Sequence, residues 1–397
     1  MRKLLRIIII LTLMLLASAL TCLILALTIG RDLGILDNRF TDVREYAALL
    51  ERIEDTYIGE YNKTEVKTAA LRAAVDSLDD SWSYYFTSEE YAEYLDSSNN
   101  RFTGIGVNVV IDDETGGIRI QSIYKNSAAS IAGILADDVI IAVDGESIIG
   151  IDMDQLSALL SRPIGETVVL SVIRNETVID EIAVEYGYVF LDPVSFELFE
   201  GNIGYISLAN FDGGSGIAFI SAVDQLIEMG AVSLVFDVRN NGGGRVSEMT
   251  LILDYLLPEG EIFVAVDKEG IEDIIESTSE MIDLPCVVLI NRYSYSAAEY
   301  FAATLSEYDY AITVGQKTTG KSRSQVTYRL PGGSAVHIST GQYLTKNRVS
   351  LYDTGGLTPD YEVDFTKDEM LLFLSGHLAY EDDPQLAASL NLLHQSN

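Results

Sequence analysis

AVSLVFDVRNNGGG, residues 231–244, reads as one uninterrupted apolar strand that breaks abruptly into a polar turn and three glycines. A half-exposed strand would alternate apolar and polar residues; a run this apolar belongs to a sheet covered on both faces. Its neighbours repeat the pattern. GNIGYISLANF (201–211) precedes it, followed by the helix-like IAFISAVDQLIEMG (217–230). EMTLILDYLLPEG (248–260), CVVLIN (286–291), SAAEYFAATLSE (296–307) and YAITVG (310–315) come after it. Strand and helix in alternation predict an α/β layered core over residues 188–366. In such sheets ligands bind beyond the carboxyl ends of the strands. Two loops leave those ends, RNNGGG (239–244) and NRYSYS (291–296).

The chain around that core divides by pattern. Residues 101–187 hold short alternating runs such as GIGVNVVI and TVVLSVIRN, separated by turn signals such as Asp144-Gly145, which predicts a compact β-rich module. Residues 31–100 carry apolar residues at helical spacing, as in FTDVREYAALLERIEDTYI, and predict a small helical domain. Residues 367–397 form a helical tail whose LAASLNLL could be a homodimer contact or a packed end. Residues 1–30 begin with Arg2, Lys3 and Arg6 and continue without charge through residues 7–29. That length is enough for a signal-anchor transmembrane helix in the lipid bilayer, with the amino terminus cytoplasmic and the remainder extracytoplasmic. A cleaved signal peptide is the competing reading, since Ala17-Ser18-Ala19 resembles a cleavage site. The expected fold class is therefore α/β and α+β multidomain, with an N-terminal transmembrane helix.

Sixty acidic against 26 basic side chains leave a formal charge of −34, which argues against a nucleic-acid partner. The two cysteines, Cys22 and Cys286, cannot plausibly bridge, and Cys and His are too scattered for a metal site. No cofactor is expected.

Ser296 followed by Glu299 fits a capping box, so its hydroxyl could serve only to begin a helix. It could also be a nucleophile. Two of the three histidines, His377 and His394, lie in the last thirty residues, and His337 sits in a strand-like run, so a Ser-His-Asp triad is poorly supplied. The alternative base is a lysine whose pKa is lowered by burial, and Lys321 is the candidate. The net negative field would oppose that shift, so only a dry pocket could deliver it. The glycines of residues 242–244 can turn backbone N–H groups inward as an oxyanion hole requires, joined by the N–H of Ala297 at a helix start.

These segments together resemble the carboxyl-terminal processing peptidases, or tail-specific proteases, across nearly the whole length after residue 30. VFDVRNNGGG is similar to that family's Asp-Leu-Arg-Asn-Asn-Pro-Gly-Gly loop, SYSAAE to its nucleophile turn, and VGQKTTGK to its lysine segment; LTPDYEV matches a further signature. The resemblance implies Ser296 as nucleophile, Lys321 as base, Gln325 as third catalytic residue, and Gly243 and Ala297 as oxyanion donors. The β-rich module is similar to a PDZ domain, with FTGIGVNV placing Gly104, Ile105, Gly106 and Val107 in the peptide-binding turn. LDDSWSYYFTSEEY, just before it, matches another family segment. Four departures stand out: Gly242 replaces a proline and Tyr295 a small residue, KSRSQ (321–325) replaces Lys-Gly-Ser-Val-Gln so that a charged Arg323 stands between Lys321 and Gln325, and ILADD lacks a Pro-Gly. The expectation is a serine endopeptidase that captures extended C-terminal tails by β-augmentation and cleaves them through an acyl-enzyme. The alternatives are a catalytically degenerate PDZ scaffold and, more remotely, a hydrophobic-ligand carrier.

Overall fold

The computed structural model describes residues 12–25, 41–278 and 281–396, and the chain forms two compact units, Met1–Ala70 and Leu71–Asn397. The first unit is helical. Residues 12–25 form one helix and Thr41–Thr56 another. Among the described residues no helix is long and apolar enough to cross a membrane. The expected transmembrane helix over residues 7–29 is corrected accordingly: a helix rising ~1.5 Å per residue needs about 20 residues for a bilayer core, and the described helix has only 12–25. The rest of that stretch and residues 31–40 lie outside the described residues.

In the second unit the apolar run of 231–238 becomes the strand Ser233–Asp237, in a six-stranded sheet. It pairs in parallel with Ile203–Leu208 on one side and Cys286–Ile290 on the other; Ala311–Gly315 and Tyr361–Glu362 continue the sheet, and Val194–Phe199 closes it antiparallel. Both central strands are buried along their whole length. Leu234, Phe236, Val288 and Ile290 face the helices Ser215–Glu228, Val246–Leu256 and Ala297–Glu307, while Val235, Val287 and Leu289 face the opposite side. That opposite side is covered by the terminal helix Pro384–Ser396, whose Leu386 and Leu393 are fully or almost fully buried. The tail that could have been a dimer contact is thus packed into its own core, where each leucine contributes about 1.5–3 kcal/mol.

Residues 107–185 form a separate antiparallel sheet over its own core, with Val107–Ile111 at its edge, paired only with Ile118–Ile123. A third sheet connects the regions. Its long strand Ala335–Leu344 pairs with Arg323–Arg329, with Gly260–Asp267 and with the short Tyr84–Phe86. The segment just before the β-rich module is therefore part of this third sheet, held by Tyr84 opposite His337 and Phe86 opposite Ala335. Sequence periodicity had assigned it to the helical domain because three strand residues are too few to register against the helices on either side.

Candidate active site

Asp237 and Leu289 are partners in adjacent parallel strands, so RNNGGG and NRYSYS leave the sheet side by side at the same end. Three buried polar side chains, with the exposed Asn240, knot them together. Ser294 Oγ donates to the Val238 carbonyl at 2.7 Å and accepts the Asn291 N–H at 3.0 Å. Asn291 and Asn240 are linked twice: Asn291 Oδ1 accepts the Asn240 N–H at 3.0 Å, and Asn291 Nδ2 donates to Asn240 Oδ1 at 2.9 Å. Asn241, fully buried, donates from Nδ2 to the Leu208 carbonyl, while its own carbonyl accepts the Tyr295 N–H at 3.1 Å. Below the knot, Arg239 is buried between Asp237 and Asp383, with Phe373 4.5 Å from its guanidinium carbon. That ties the root of the glycine loop to the C-terminal segment.

The close approach of the two loops explains the glycines. Gly243 has φ 88°, and a Cβ there would lie 2.8 Å from Ser296 Cβ and 2.9 Å from the Ala297 nitrogen. Ser296 itself has φ 58° at the start of Ala297–Glu307, a left-handed conformation that is strained for a residue with a side chain. Such strain exposes a side chain at a sharp strand-to-helix turn. The Gly243 N–H donates to Asn241 Oδ1 at 2.8 Å. The Ala297 N–H has no hydrogen-bond partner among the described residues.

Glu299 reaches back to the Ser296 N–H at 3.0 Å, the carboxylate half of the expected capping box, but it does more than cap. The same carboxylate, fully buried, accepts the N–H groups of Gly320 at 2.6 Å and Lys321 at 2.8 Å and the hydroxyl of Thr318. One side chain therefore fixes the backbone of Ser296 and of Lys321 at once. The Tyr343 hydroxyl donates to the Lys321 carbonyl from the neighbouring strand.

Ser296, Lys321, Gln325, His337, Tyr295 and Trp82 line one cavity of about 530 Å³. Burial pushes the Lys321 amine down to about 8, against the pull of the Asp80 and Glu299 carboxylates. Its Nζ lies 4.2 Å from the centroid of the Trp82 ring, and no hydrogen bond joins it to Ser296 Oγ. Gln325 donates to the Arg323 carbonyl and to Ser339 Oγ, both at 3.0 Å, with no hydrogen bond to Lys321. His337 is packed against Tyr84, with ring centroids 4.9 Å apart, and is bonded to Thr327; burial, then the charge of Lys321, push it down to about 4. It is neutral at physiological pH. Arg323 reaches Asp80, 3.4 Å from its carboxylate. Tyr295 lies over Gly242, where a Cβ would come 2.6 Å from the tyrosine hydroxyl. The absent proline and the bulky tyrosine are therefore one coupled departure from the family pattern.

In the β-rich module, Ile105 and Gly106 turn their carbonyls toward the short helix Ala128–Ile131 and its approach: Ile105 accepts the Ala129 N–H and Gly106 the Tyr124 N–H. Gly106, at φ 84°, would place a Cβ 2.2 Å from Ser127 Cβ. Gly104 pairs with Gly187, and Val107 opens the edge strand opposite Ile123.

Several of these residues escaped the sequence. Asn241 and Asn291 lay in loops the sequence singled out and Trp82 in a segment that resembled the family, but none was assigned a role; Tyr343 carried no signal, and Glu299 was visible only as a cap.

Residues 202–363 match peptidase family S41, and residues 119–174 match a PDZ domain. The carboxyl-terminal-processing protease of Synechocystis is 28% identical over 338 residues, covering 84% of this chain and 78% of its own. The carboxy-terminal processing protease CtpA of Bacillus subtilis is 27% identical over 333 residues, covering 83% and 71%. An S41 protease structure from Bacteroides fragilis superposes with a TM-score of 0.54 at 19% identity, covering 86% of this chain and 93% of that one, a likeness of fold alone. A PDZ module followed by an S41 domain, together with relatives over more than four-fifths of the chain that are named as processing proteases, supports a serine-type peptidase similar to the carboxyl-terminal processing proteases.

Proposed function

We propose that the peptidase cleaves near exposed C-terminal tails by a Ser-Lys mechanism, with Ser296 as nucleophile and Lys321 as general base. The observation that carries the reading is the lysine itself: a half-buried amine that forms no ion pair among the described residues, in one cavity with a serine at a strained helix start. With its pKa near 8, a substantial minority of the amine is neutral at neutral pH. The neutral amine takes the Ser296 proton as Oγ attacks the scissile carbonyl. The ammonium then gives that proton to the leaving amine, and water, deprotonated by the same lysine, releases the acyl group. The oxyanion is assigned to the N–H groups of Ala297 and Gly243, the second being freed when it exchanges Asn241 Oδ1 for the substrate. Gln325, on the strand that follows Lys321, is assigned to orienting the lysine once the amine swings toward Ser296. Tail capture is assigned to the open edge of Val107–Ile111, with the terminal carboxylate held at the turn of Gly104, Ile105, Gly106 and Val107.

We place the catalytic part outside the cytoplasm, on the basic start and the apolar run that follows it, read as an export signal. Fractionation of cells expressing a tagged full chain tests this; activity confined to the cytoplasm would refute it. For the mechanism, Ser296→Ala should abolish cleavage of an unfolded protein with an apolar tail and leave unfolding behaviour unchanged. Lys321→Ala should do the same. Cleavage at wild-type rate by either variant would overturn the assignment.

A further inference from the structure

We infer that Trp82 is a positioning residue for Lys321, docking the amine as an ammonium on its indole face and releasing it toward Ser296 when it becomes neutral. The inference deepens the Ser-Lys reading and rests on it for its catalytic half.

The ring is built into the site from two sides. Asp80 accepts the Trp82 N–H at 3.3 Å and the Ser83 hydroxyl at 2.6 Å, and Ser83 Oγ in turn accepts the Ser339 N–H at 2.9 Å. The turn carrying Trp82 is thereby pinned to the strand that also carries His337. On its other side the indole packs against Tyr295, centroids 5.8 Å apart, the residue that immediately precedes Ser296. Lys321 Nζ sits at 4.2 Å from the ring centroid, within the range of a cation–π contact.

The titratable groups that act on the amine are engaged elsewhere. Glu299 spends its carboxylate on three backbone N–H groups and a hydroxyl. Asp80 is engaged by Ser83 and faces Arg323. His337 is neutral and bonded to Thr327, and Tyr343 holds the lysine carbonyl rather than the amine. Among the described residues no carboxylate forms an ion pair with Lys321, so the indole face, in direct contact with the amine, joins the more distant Asp80 and Glu299 charges in favouring the charged form. A π face attracts an ammonium and has little hold on a neutral amine. Loss of the proton therefore also removes the reason to stay on the ring, and coupling of the two events delivers the base in its competent state.

The ring exerts two opposed effects, which substitution separates. Its quadrupole favours the ammonium; its bulk excludes water and favours the amine. Trp82→Leu keeps the site dry without the π face, so the midpoint of kcat/KM against pH should fall by about one unit. Trp82→Ala admits water, so the midpoint should rise toward that of a free lysine. Midpoints unchanged in both variants, whatever their rates, would reduce Trp82 to packing and overturn the inference.

A second measurement does not depend on catalysis. Trp82 is the chain's single tryptophan, so tryptophan emission reports this site alone. In the full chain, emission titrated from about pH 6 to about pH 10 should show a one-proton transition near pH 8 that is lost in Lys321→Met. Absence of the transition, or its persistence in Lys321→Met, would refute the docking. A transition belonging to Lys321 with kcat/KM following a different midpoint would instead leave the docking standing and remove Lys321 as the base.

Discussion

Glu299→Gln replaces a single oxygen by an amide nitrogen, and the structure says why that should be costly. Each carboxylate oxygen accepts two hydrogen bonds: Oε2 from the Ser296 and Lys321 N–H groups, Oε1 from the Gly320 N–H and the Thr318 hydroxyl. A glutamine retains one oxygen and turns an NH2 toward the other pair of donors. At least one backbone N–H then stays buried and unpaired, and the side chain is fully buried, so water cannot replace the lost acceptor. At about 1–3 kcal/mol for each orphaned donor, the loss is about 1–3 kcal/mol with the NH2 toward Gly320 and about 2–6 kcal/mol with it toward Ser296 and Lys321. Urea unfolding of the full chain should show it as a lower midpoint at unchanged slope. Activity gives the sharper test, because electrostatics and geometry predict opposite signs. The Glu299 charge raises the Lys321 pKa, so neutralising it enlarges the population of neutral base at pH 7. Were charge the main role, Glu299→Gln would be faster than wild type. If the carboxylate instead holds the Ser296 and Lys321 backbones in register, kcat should drop by at least tenfold under conditions where the variant is folded, about the effect of a 1.4 kcal/mol misplacement. A variant as stable and as active as wild type would refute the reasoning.

Other perturbations follow from the same geometry. Because Lys321 must be neutral to act and sits near 8, kcat/KM should climb about tenfold per pH unit below that value and level off above it. A flat profile between pH 6 and pH 9 would remove Lys321 as the base, and a midpoint beyond about 10 would place its amine in bulk water. Gly242→Ala should destabilise by about 1–3 kcal/mol through its contact with the Tyr295 hydroxyl, and Tyr295→Ala should recover most of that loss; strictly additive effects in a double-mutant cycle would deny the coupling. Arg239→Met leaves Asp237 and Asp383 buried without their partner and should cost about 3–5 kcal/mol in thermal or urea unfolding. Wild-type stability there would show that the C-terminal segment is not what anchors the glycine loop.

The layered core was legible because its signal is local and strong. Five consecutive buried residues in Ser233–Asp237 and again in Cys286–Ile290 cannot be read as anything half-exposed, and the loops that follow them inherit their position from the sheet. The cluster at the site was less legible, because its parts are far apart in the chain. Trp82 precedes Lys321 by more than half the chain, and nothing in the pattern around either residue announces the other. Glu299 illustrates the intermediate case. Its spacing from Ser296 revealed the cap, while its bonds to Gly320 and Lys321 depend on a loop that folds back across the helix start. The N-terminal stretch erred the other way: composition argued for a span across residues 7–29 that no described helix provides.

A chain carrying a formal charge of −34 is a poor host for a neutral lysine, since a negative field holds protons. Distance and local compensation resolve the difficulty. Most of the acidic side chains lie at the surface, where solvent and salt screen them beyond about a Debye length. Only Asp80 and Glu299 act on Lys321 strongly enough to matter, and each is occupied elsewhere. Glu299 is surrounded by backbone donors, and Asp80 has Arg323 beside it. Arg323 is one of the residues that depart from the family pattern, two positions beyond the lysine, and its placement gives that departure a purpose. An exposed ion pair adds little stability, yet a guanidinium set against Asp80 offsets one of the two negative charges that act on the amine that must shed its proton. Arg323→Gly should therefore raise the midpoint of kcat/KM against pH while leaving the unfolding midpoint within experimental scatter. A lowered midpoint would mean that Arg323 acts on the lysine by direct repulsion, and the compensation argument would fail.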